Sequence, residues 1–390
     1  MNITHRIDKD ILYIAVEGRI DSTNAPAAEA QIFAFRNAHS DKHVVIDADA
    51  LEYISSAGLR ILLKLLKDVP ELAIINVSTE NYEIFDLTGF TDMMTIEKAF
   101  PRISVEGCPF IAKGANGAVY RYNEETIVKT YFARDVLPDI KQERENARLA
   151  FVKGVNTAIP YGIVRVGDGY GTVMELLTAD SVSKLIRNHP EDLTEAANYY
   201  IGMLKVIHSV EVKDGEVPDV KADALSWLDT VAPHLPPEQT AKLRRMLEAI
   251  PKQNTLLHGD YNTNNIMVQN GEPILIDMDT LCMGHPVFEL AAMFNALIGY
   301  DELNPESTMR FYGYPSESAH QFWNMALSMY LGTEDDEVCQ RVAEKAMVIG
   351  NIRMLRRALR RSSDADSPAK IARCKEMLGI LLNKVDVLTF

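Results

Sequence analysis

Two folded domains are predicted: an α/β domain with a mostly parallel sheet, then an α+β part with a small β-rich lobe and a large helical lobe. Three observations lead there. A chain of 390 residues exceeds what one ordinary core organises and divides into two or three domains. The first hundred residues alternate strand and helix patterns, so the strands are joined through helices and run mostly parallel. Beyond Pro101 the pattern changes to glycine-bearing hairpins, and after Ser181 it is helical almost to the end.

In the first domain, ILYIAVEG (11–18) and HVVIDA (43–48) are apolar, β-branched runs that read as strands. Between them NAPAAEAQIFAFRNA (24–38) has helical spacing, with Asn24 as cap and Pro26 in the first turn. A helix from Ser56 to about Asp68, the strand ELAIINV (71–77) and the helix NYEIFDLTGF (81–90) follow, and MTIEKAF (94–100) closes the domain. Further on, FIAKGANGAVYRY (110–122) reads as a hairpin and TIVKTYF (126–132) as a strand. A helix is predicted over 139–153, and GIVRVGDGYGTVMELL (162–177) gives two strands turning through Gly167 to Gly171. Short strand-like pieces around LLHGD and PILIDMD interrupt the helical part at 255–280. The expected boundaries are 1–100 for the first domain, 101–106 for a linker, 107–177 for the small lobe and 178–390 for the helical lobe.

Composition excludes several classes. Hydrophobic content of 47% with 24% charged residues is that of a globular protein rather than a disordered one. A formal charge of −15 argues against a nucleic-acid-binding face, which needs a basic stripe. Cys108, Cys282, Cys339 and Cys374 are scattered without metal-site spacing and read as ordinary thiols in a reducing compartment. The polar start MNITHRIDKD lacks the apolar core of a secretion signal, and no apolar run approaches the ~18 residues of a membrane span, so a cytoplasmic protein without membrane contact is expected.

Chemistry concentrates in HGDYNTNNIMV (258–268) and ILIDMDT (274–280). Phosphoryl transfer needs a carboxylate to orient the attacking hydroxyl and oxygen ligands to hold Mg2+ against the phosphates. Asp260, Asn265 and Asp277 supply that set, on a loop and a strand end that a short hairpin brings together. This resembles the protein-kinase-like fold in its aminoglycoside phosphotransferase and choline kinase branch, whose signature reads HGDxxxxN followed by an apolar strand ending in Asp. The resemblance covers 107 to at least 300. It implies ATP and Mg2+ as cofactors, Asp260 as catalytic base, Asn265 and Asp277 as metal ligands, a structural role for His258, and a small-molecule hydroxyl compound as substrate.

The small lobe agrees with that resemblance. Gly114 and Gly117 in KGANGAVY let a hairpin approach phosphates closely. Lys129 stands where the family's strand lysine pairs with the nucleotide phosphates. Its acidic partner on the next helix is Glu143 or Glu145, and Glu145 fits the family's RE pattern better. VMELL (173–177) resembles the hinge between lobes, where backbone groups of Glu175 and Leu177 bond the nucleotide base. GHPVFELAAMF (284–294) follows Asp277 at once, leaving no room for a long activation loop. His285 and Glu289 there replace the two aspartates of the branch's usual GDPxxDLA, and Glu289 keeps a carboxylate to brace the catalytic loop. Asp279 reads either as a second acid on a continuing strand or as a turn residue. His208 and Trp227 read as core. The arginines of RMLRRALRR (353–361) read by default as a solvated helix face, with a surface for an anion or partner as the sharper option.

The first domain resembles the STAS domain, the fold of bacterial anti-sigma factor antagonists, through GRIDSTNAPAAEAQI, VVIDADALEYISSAGLRILLKLLK and IFDLTGFTDMMTI over residues 1–100. The resemblance makes Ser56 the phosphorylatable serine, with Ser55 in place of the common aspartate. A phosphate there would lie at a helix N-terminus that favours anions and would add charge to a partner-binding surface. The implied partner is an anti-sigma-type or other protein. Two other readings stand beside a small-molecule phosphotransferase: a protein-binding regulator whose kinase-like part senses nucleotide, and a protein kinase acting on STAS serines.

Overall fold

The structure, a computed structural model, describes residues 1–390 other than 115, 134, 135, 305 and 365. The chain divides into two compact units, one of Met1–Ser104 with Val164–Gly167 and one of Val105–Ile163 with Asp168–Phe390.

In the first unit the strands β1 (Asn2–Asp8), β2 (Ile11–Ile20), β3 (His43–Asp47), β5 (Ala73–Val77) and β6 (Thr95–Lys98) form a sheet in the order β1-β2-β3-β5-β6, with β4 (Leu51–Ile54) also on β2. Only β1 is antiparallel to its neighbour. The helices α1 (Ala25–Ala38), α2 (Ser56–Asp68) and α3 (Thr79–Leu87) bury Ile32, Leu62, Leu65 and Phe85 against that sheet, and β7 (Arg102–Ile103) ends this stretch. The sequence reading contained neither β1 nor β4. NITHRID buries only Ile3, as befits an edge strand with one neighbour, and so carries no apolar period. Asn24 does precede α1 but does not cap it through its side chain; its amide instead bonds Arg19 and Asp21 and closes the preceding turn. At α2 it is Ser55 that caps, accepting from the Gly58 N–H at 3.5 Å, and Ser56 is the first helical residue, exposed to solvent.

The second unit opens with β8 (Phe110–Lys113), β9 (Gly117–Arg121), β10 (Thr126–Tyr131), β11 (Pro160–Val166) and β12 (Gly169–Glu175), ordered β11-β12-β10-β9-β8, with α4 (Leu137–Val152) between β10 and β11. Then come β13 (Asp180–Ser181), α5 (Val182–Asn188), α6 (Thr194–His208), α7 (Val220–Val231) and α8 (Pro237–Glu248). The short strands β14 (Leu256–Leu257), β15 (Ile266–Gln269), β16 (Glu272–Leu275) and β17 (Cys282–Met283) follow, and α9 (Val287–Phe294) begins the last helical stretch. A π-helical turn Asn295–Gly299 joins α9 to α10 (Tyr300–Leu303); α11 (Ser307–Tyr312), α12 (Ser316–Leu331), α13 (Asp336–Arg360) and α14 (Ser367–Leu381) complete the lobe. Its core is continuous, from Ala147 through Tyr200, Leu256, Leu290, Phe322 and Leu355 to Leu388. No helix among the described residues is long and apolar enough to cross a membrane.

Candidate functional site

The residues 258–280 form a compact set because β15 and β16 pair as a tight antiparallel hairpin, Ile266 opposite Leu275. Asn265 enters that hairpin and Asp277 leaves it two residues beyond, so the ladder places them at the same end; the Ile276 N–H bonds the Asn265 carbonyl at 2.9 Å. His258 bridges the two arms. Its Nε2–H donates to the Ile276 carbonyl at 3.0 Å, while Nδ1 accepts from the Asp260 N–H at 3.3 Å, which defines one neutral tautomer. Gly259 turns the loop at φ 82°, and a Cβ there would lie 2.4 Å from the Thr280 carbonyl oxygen, so neither the turn nor the space admits a side chain.

Beneath the loop lies Glu289, fully buried on α9. It accepts from the backbone N–H of His258 and, at 2.9 Å, from that of Gly259, with His208 Nε2 at 3.8 Å. Burial alone would push its carboxyl up, but His208, His258 and the N–H donors outweigh it and hold the group below the ordinary glutamate value. The bracing role expected of Glu289 is therefore met by two hydrogen bonds. Trp227 packs partly buried against the core and His208 is buried beside Tyr330, as expected of both.

Asp260 is exposed above this frame, its carboxylate 3.3 Å from Asn262 Nδ2. The Asn265 amide nitrogen bonds the Asp260 carbonyl at 3.0 Å, leaving its own oxygen without a protein partner among the described residues. Asp277 adopts left-handed backbone (φ 66°, ψ 63°), a strained conformation for a non-glycine residue that turns its carboxylate off the strand axis. One oxygen of that carboxylate accepts from Lys129 Nζ at 2.8 Å. A carboxylate oxygen and an amide oxygen at one hairpin end suit Mg2+, which takes one or two protein oxygens and completes its shell with phosphate and water. No group of three or more His, Cys, Asp or Glu among the described residues is placed to hold a metal by itself. Asp279 lies on a short 3-10 turn (Met278–Thr280), so the strand does not continue past Asp277, and burial, then Asp277, push its carboxyl up to about 6.

The partner of Lys129 requires a correction. Lys129 Nζ lies 2.8 Å from Glu143, which also accepts from the Tyr131 hydroxyl at 3.0 Å. Glu145 is exposed and, among the described residues, its ion-pair neighbour is Arg148 at 3.9 Å. Two residues along a helix are ~200° apart in azimuth, so the two glutamates cannot share a face. The buried positions Ile140, Asn146, Ala147 and Ala150 place Glu143 on the inner face. Burial acts against the Lys129 charge, and Asp277 and Glu143 more than restore it, raising its pKa.

Gly114 follows the end of β8, and its N–H donates to the Gly117 carbonyl at 2.9 Å. Gly117 opens β9, where an added Cβ would stand 2.0 Å from the Thr130 carbonyl oxygen. The close approach that demands glycine at 117 is thus to the neighbouring strand. Glu175 is the last residue of β12, opposite Thr126, and Leu177 lies two residues beyond.

Sequence reasoning missed the opposite wall of the site. Arg353 Nη1 on α13 donates to the Gly259 carbonyl at 2.9 Å, with its guanidinium 5.5 Å from the centre of the Trp227 ring. One turn on, Arg357 Nη1 lies 3.4 Å from the Tyr300 hydroxyl and its guanidinium 5.3 Å from that ring's centre. Arg357, Arg360 and Arg361 are exposed, as the default reading of that run expects, whereas Arg353 is half-buried against the catalytic loop. Thr263 and Tyr314 join hydroxyls at 2.9 Å, and Asn264 Nδ2 donates to the Phe311 carbonyl at 2.9 Å. The only sequence signal was the arginine spacing.

Residues 107–323 match the family model described as the phosphotransferase enzyme family, APH, and residues 2–103 match that of the STAS domain. The chain is 31% identical over 90 residues to a Bordetella bronchiseptica protein that carries the name anti-sigma factor antagonist BtrV, an alignment covering 22% of this chain and 77% of that protein. Among solved structures, ADP-bound aminoglycoside phosphotransferase APH(2'')-Ib is similar over 79% of this chain and 99% of its own, at 16% identity and a TM-score of 0.49. For amicoumacin kinase hAmiN, solved with AMP-PNP and Ca2+, the shares are 79% and 95%, at 17% identity and a TM-score of 0.48. A choline/ethanolamine kinase family protein from Mesorhizobium loti is similar over 69% of this chain and 88% of its own, at 15% identity and a TM-score of 0.44. With its family model spanning more than half of the chain, this protein belongs to the phosphotransferase enzyme family and carries a STAS domain ahead of the phosphotransferase domain.

Proposed function

We propose that the protein uses ATP and Mg2+ to transfer a γ-phosphoryl group to a hydroxyl of a small molecule, and that its STAS domain serves regulation or docking. The observation that carries this is the gathering of Asp260, Asn265 and Asp277 around His258, with Lys129 held between Glu143 and Asp277. Asp260 would orient the acceptor hydroxyl and take its proton as the new O–P bond forms and the γ-phosphorus parts from the β–γ bridging oxygen. Asn265 and Asp277 would hold Mg2+. Bound there, that ion would supply charge neutralisation for the nucleotide phosphates. Lys129, positioned by Glu143, would hold the nucleotide phosphates under the hairpin that carries Gly114 and Gly117. The backbone of Glu175 and Leu177 would receive the base.

In the STAS unit, Ser56 is exposed at the first position of α2, where free N–H groups suit a phosphate, and we take it as the regulatory phosphorylation site. A protein partner of anti-sigma type would read its state.

Asp260→Ala tests the assignment. ADP release stimulated by an acceptor alcohol should fall on the order of 10²–10⁴-fold with ATP affinity unchanged. Turnover equal to that of the wild type would overturn the role given to Asp260.

A further inference from the structure

The wall facing Asp260 is aromatic and basic in a chain whose formal charge is −15. Five arginines fall between 353 and 361. Among the described residues, the hydrogen-bond and ring partners of Arg353 and Arg357 are a carbonyl, a phenol and two aromatic rings, while Asp223 acts on Arg353 and Arg356 through charge. Arg356 is held below the ordinary arginine value, first by burial and then by Arg360, with Asp223 opposing and Arg353 adding to the shift. Like charges a helical turn apart are destabilising. The dipole at a helix C-terminus favours cations in the last turn, which accounts for Arg360 and Arg361. It does not account for Arg353 and Arg357, which share one face and meet Gly259, next to Asp260, and Tyr300.

The same wall is anchored rather than loose. Asp301, 4% exposed, accepts from the Thr308 hydroxyl at 2.6 Å and from Ser316, tying α10 to α11 and α12 and so fixing Tyr300 relative to Tyr312. The Tyr312 hydroxyl is raised in pKa by burial first, then by Tyr314, Asp260 and Tyr300, with Arg357 pulling it down, so Asp260 and Arg357 act on one phenol. Phe311 stands beside it, 62% exposed and joined through its carbonyl to Asn264 of the catalytic loop.

Resting on the phosphotransferase reading above, we propose that the acceptor alcohol also carries an anionic group, a carboxylate or a phosphate ester, and that Arg357 is the specificity-determining contact for it. The guanidinium fork suits either oxyanion, and the Tyr300 hydroxyl and ring lie against it. Arg353 is a positioning residue that holds the Gly259–Asp260 turn. A polycationic acceptor is disfavoured by the same arginines.

Two measurements on the full chain test this. The first follows arginine side-chain Nε–H NMR signals during titration with inorganic phosphate or acetate, with AMP-PNP and Mg2+ saturating so that the nucleotide site is filled. A saturable shift of the Arg357 signal is expected; in the variants, followed through the Arg353 signal, binding should weaken on the order of tenfold in Arg357→Lys and be lost in Arg357→Ala. Saturation by phosphate alone identifies a phosphate ester, and by acetate alone a carboxylate. No saturable shift with either overturns the proposal. The second measures ADP release with glycerol 3-phosphate, D-glycerate, glycerol, choline and kanamycin. The highest kcat/KM should belong to an anionic alcohol, and Arg357→Ala should raise its KM while sparing kcat; a neutral or cationic best acceptor refutes the proposal. Loss of all turnover with phosphate binding intact would instead count against the phosphotransferase reading, since Asp260→Ala should leave the titration unchanged.

Discussion

On one side of the site, at Lys129 and beneath the catalytic loop, charges meet partners within the protein. Lys129 stands 2.8 Å from both Glu143 and Asp277, and Glu289 accepts two backbone N–H groups beneath the catalytic loop. On the helical-lobe side, Arg353 and Arg357 rest on a carbonyl, a phenol and aromatic faces. The first arrangement is electrically closed before any ligand arrives, so it orders the site. On the proposal above, the second leaves the Arg357 charge for an acceptor brought from outside, and so would select. A group that only orders should act mainly on stability or kcat, whereas one that selects should act on KM for the acceptor.

The largest effect expected from breaking the closed side is that of Glu289→Gln. The amide can accept one of the two N–H bonds but turns a donor towards the other, and a buried donor is left without its charged acceptor. A loss of about 3 kcal/mol in the stability of the phosphotransferase unit is expected at neutral pH, read from denaturant midpoints. The pH dependence follows from the sign of the shift. The fold holds the Glu289 carboxyl below its ordinary value of 4.5, so it prefers the ionised form. That contribution is complete above the unfolded pKa and is lost as the pH falls through the depressed folded one. The gap between wild type and variant should therefore narrow in acid; a gap independent of pH would mean that hydrogen-bond geometry, not charge, holds the loop.

A smaller effect separates the two glutamates of α4. Glu143→Gln should lower kcat/KM for ATP on the order of 10–100-fold, because it removes a charged partner from Lys129. Glu145→Gln should change it less than about twofold, as expected at a solvated position. Equal losses would undo the distinction drawn from the structure.

That distinction marks where legibility in the sequence ends. Asp260, Asn265 and Asp277 are legible because one tight hairpin gathers them, and residues close along the chain keep their spacing when folded. Helix α2 is legible because Ser55 and the apolar period behind it are both local. The choice between Glu143 and Glu145 depends on the rotational phase of α4, which its buried face decides and its own sequence does not. Asn2–Asp8 escapes because an edge strand with one buried residue has no period to detect. Gly117 is legible as a glycine, but its reason, the Thr130 carbonyl, belongs to another strand. The arginine wall is the least legible part: Arg353 reaches Gly259 from 94 residues away and Arg357 reaches Tyr300 from 57, and no local pattern encodes such a meeting.

Arg353→Ala gives a smaller effect than Glu143→Gln and the sharpest test of the division between ordering and selecting. Arg353 stands on the basic wall, yet its hydrogen bond goes to the Gly259 carbonyl, next to Asp260. Removing it should cost about 1 kcal/mol, the worth of one hydrogen bond with a charged donor partly replaced by water. If it orders, kcat should fall several-fold with the acceptor KM nearly unchanged, and Arg353→Lys should restore part of the loss by reaching the same carbonyl. If it selects, KM should rise as it does for Arg357→Ala. In the first case one face of one helix carries two roles a single turn apart, and the ratio of kcat loss to KM gain in the two alanine variants measures how cleanly they separate.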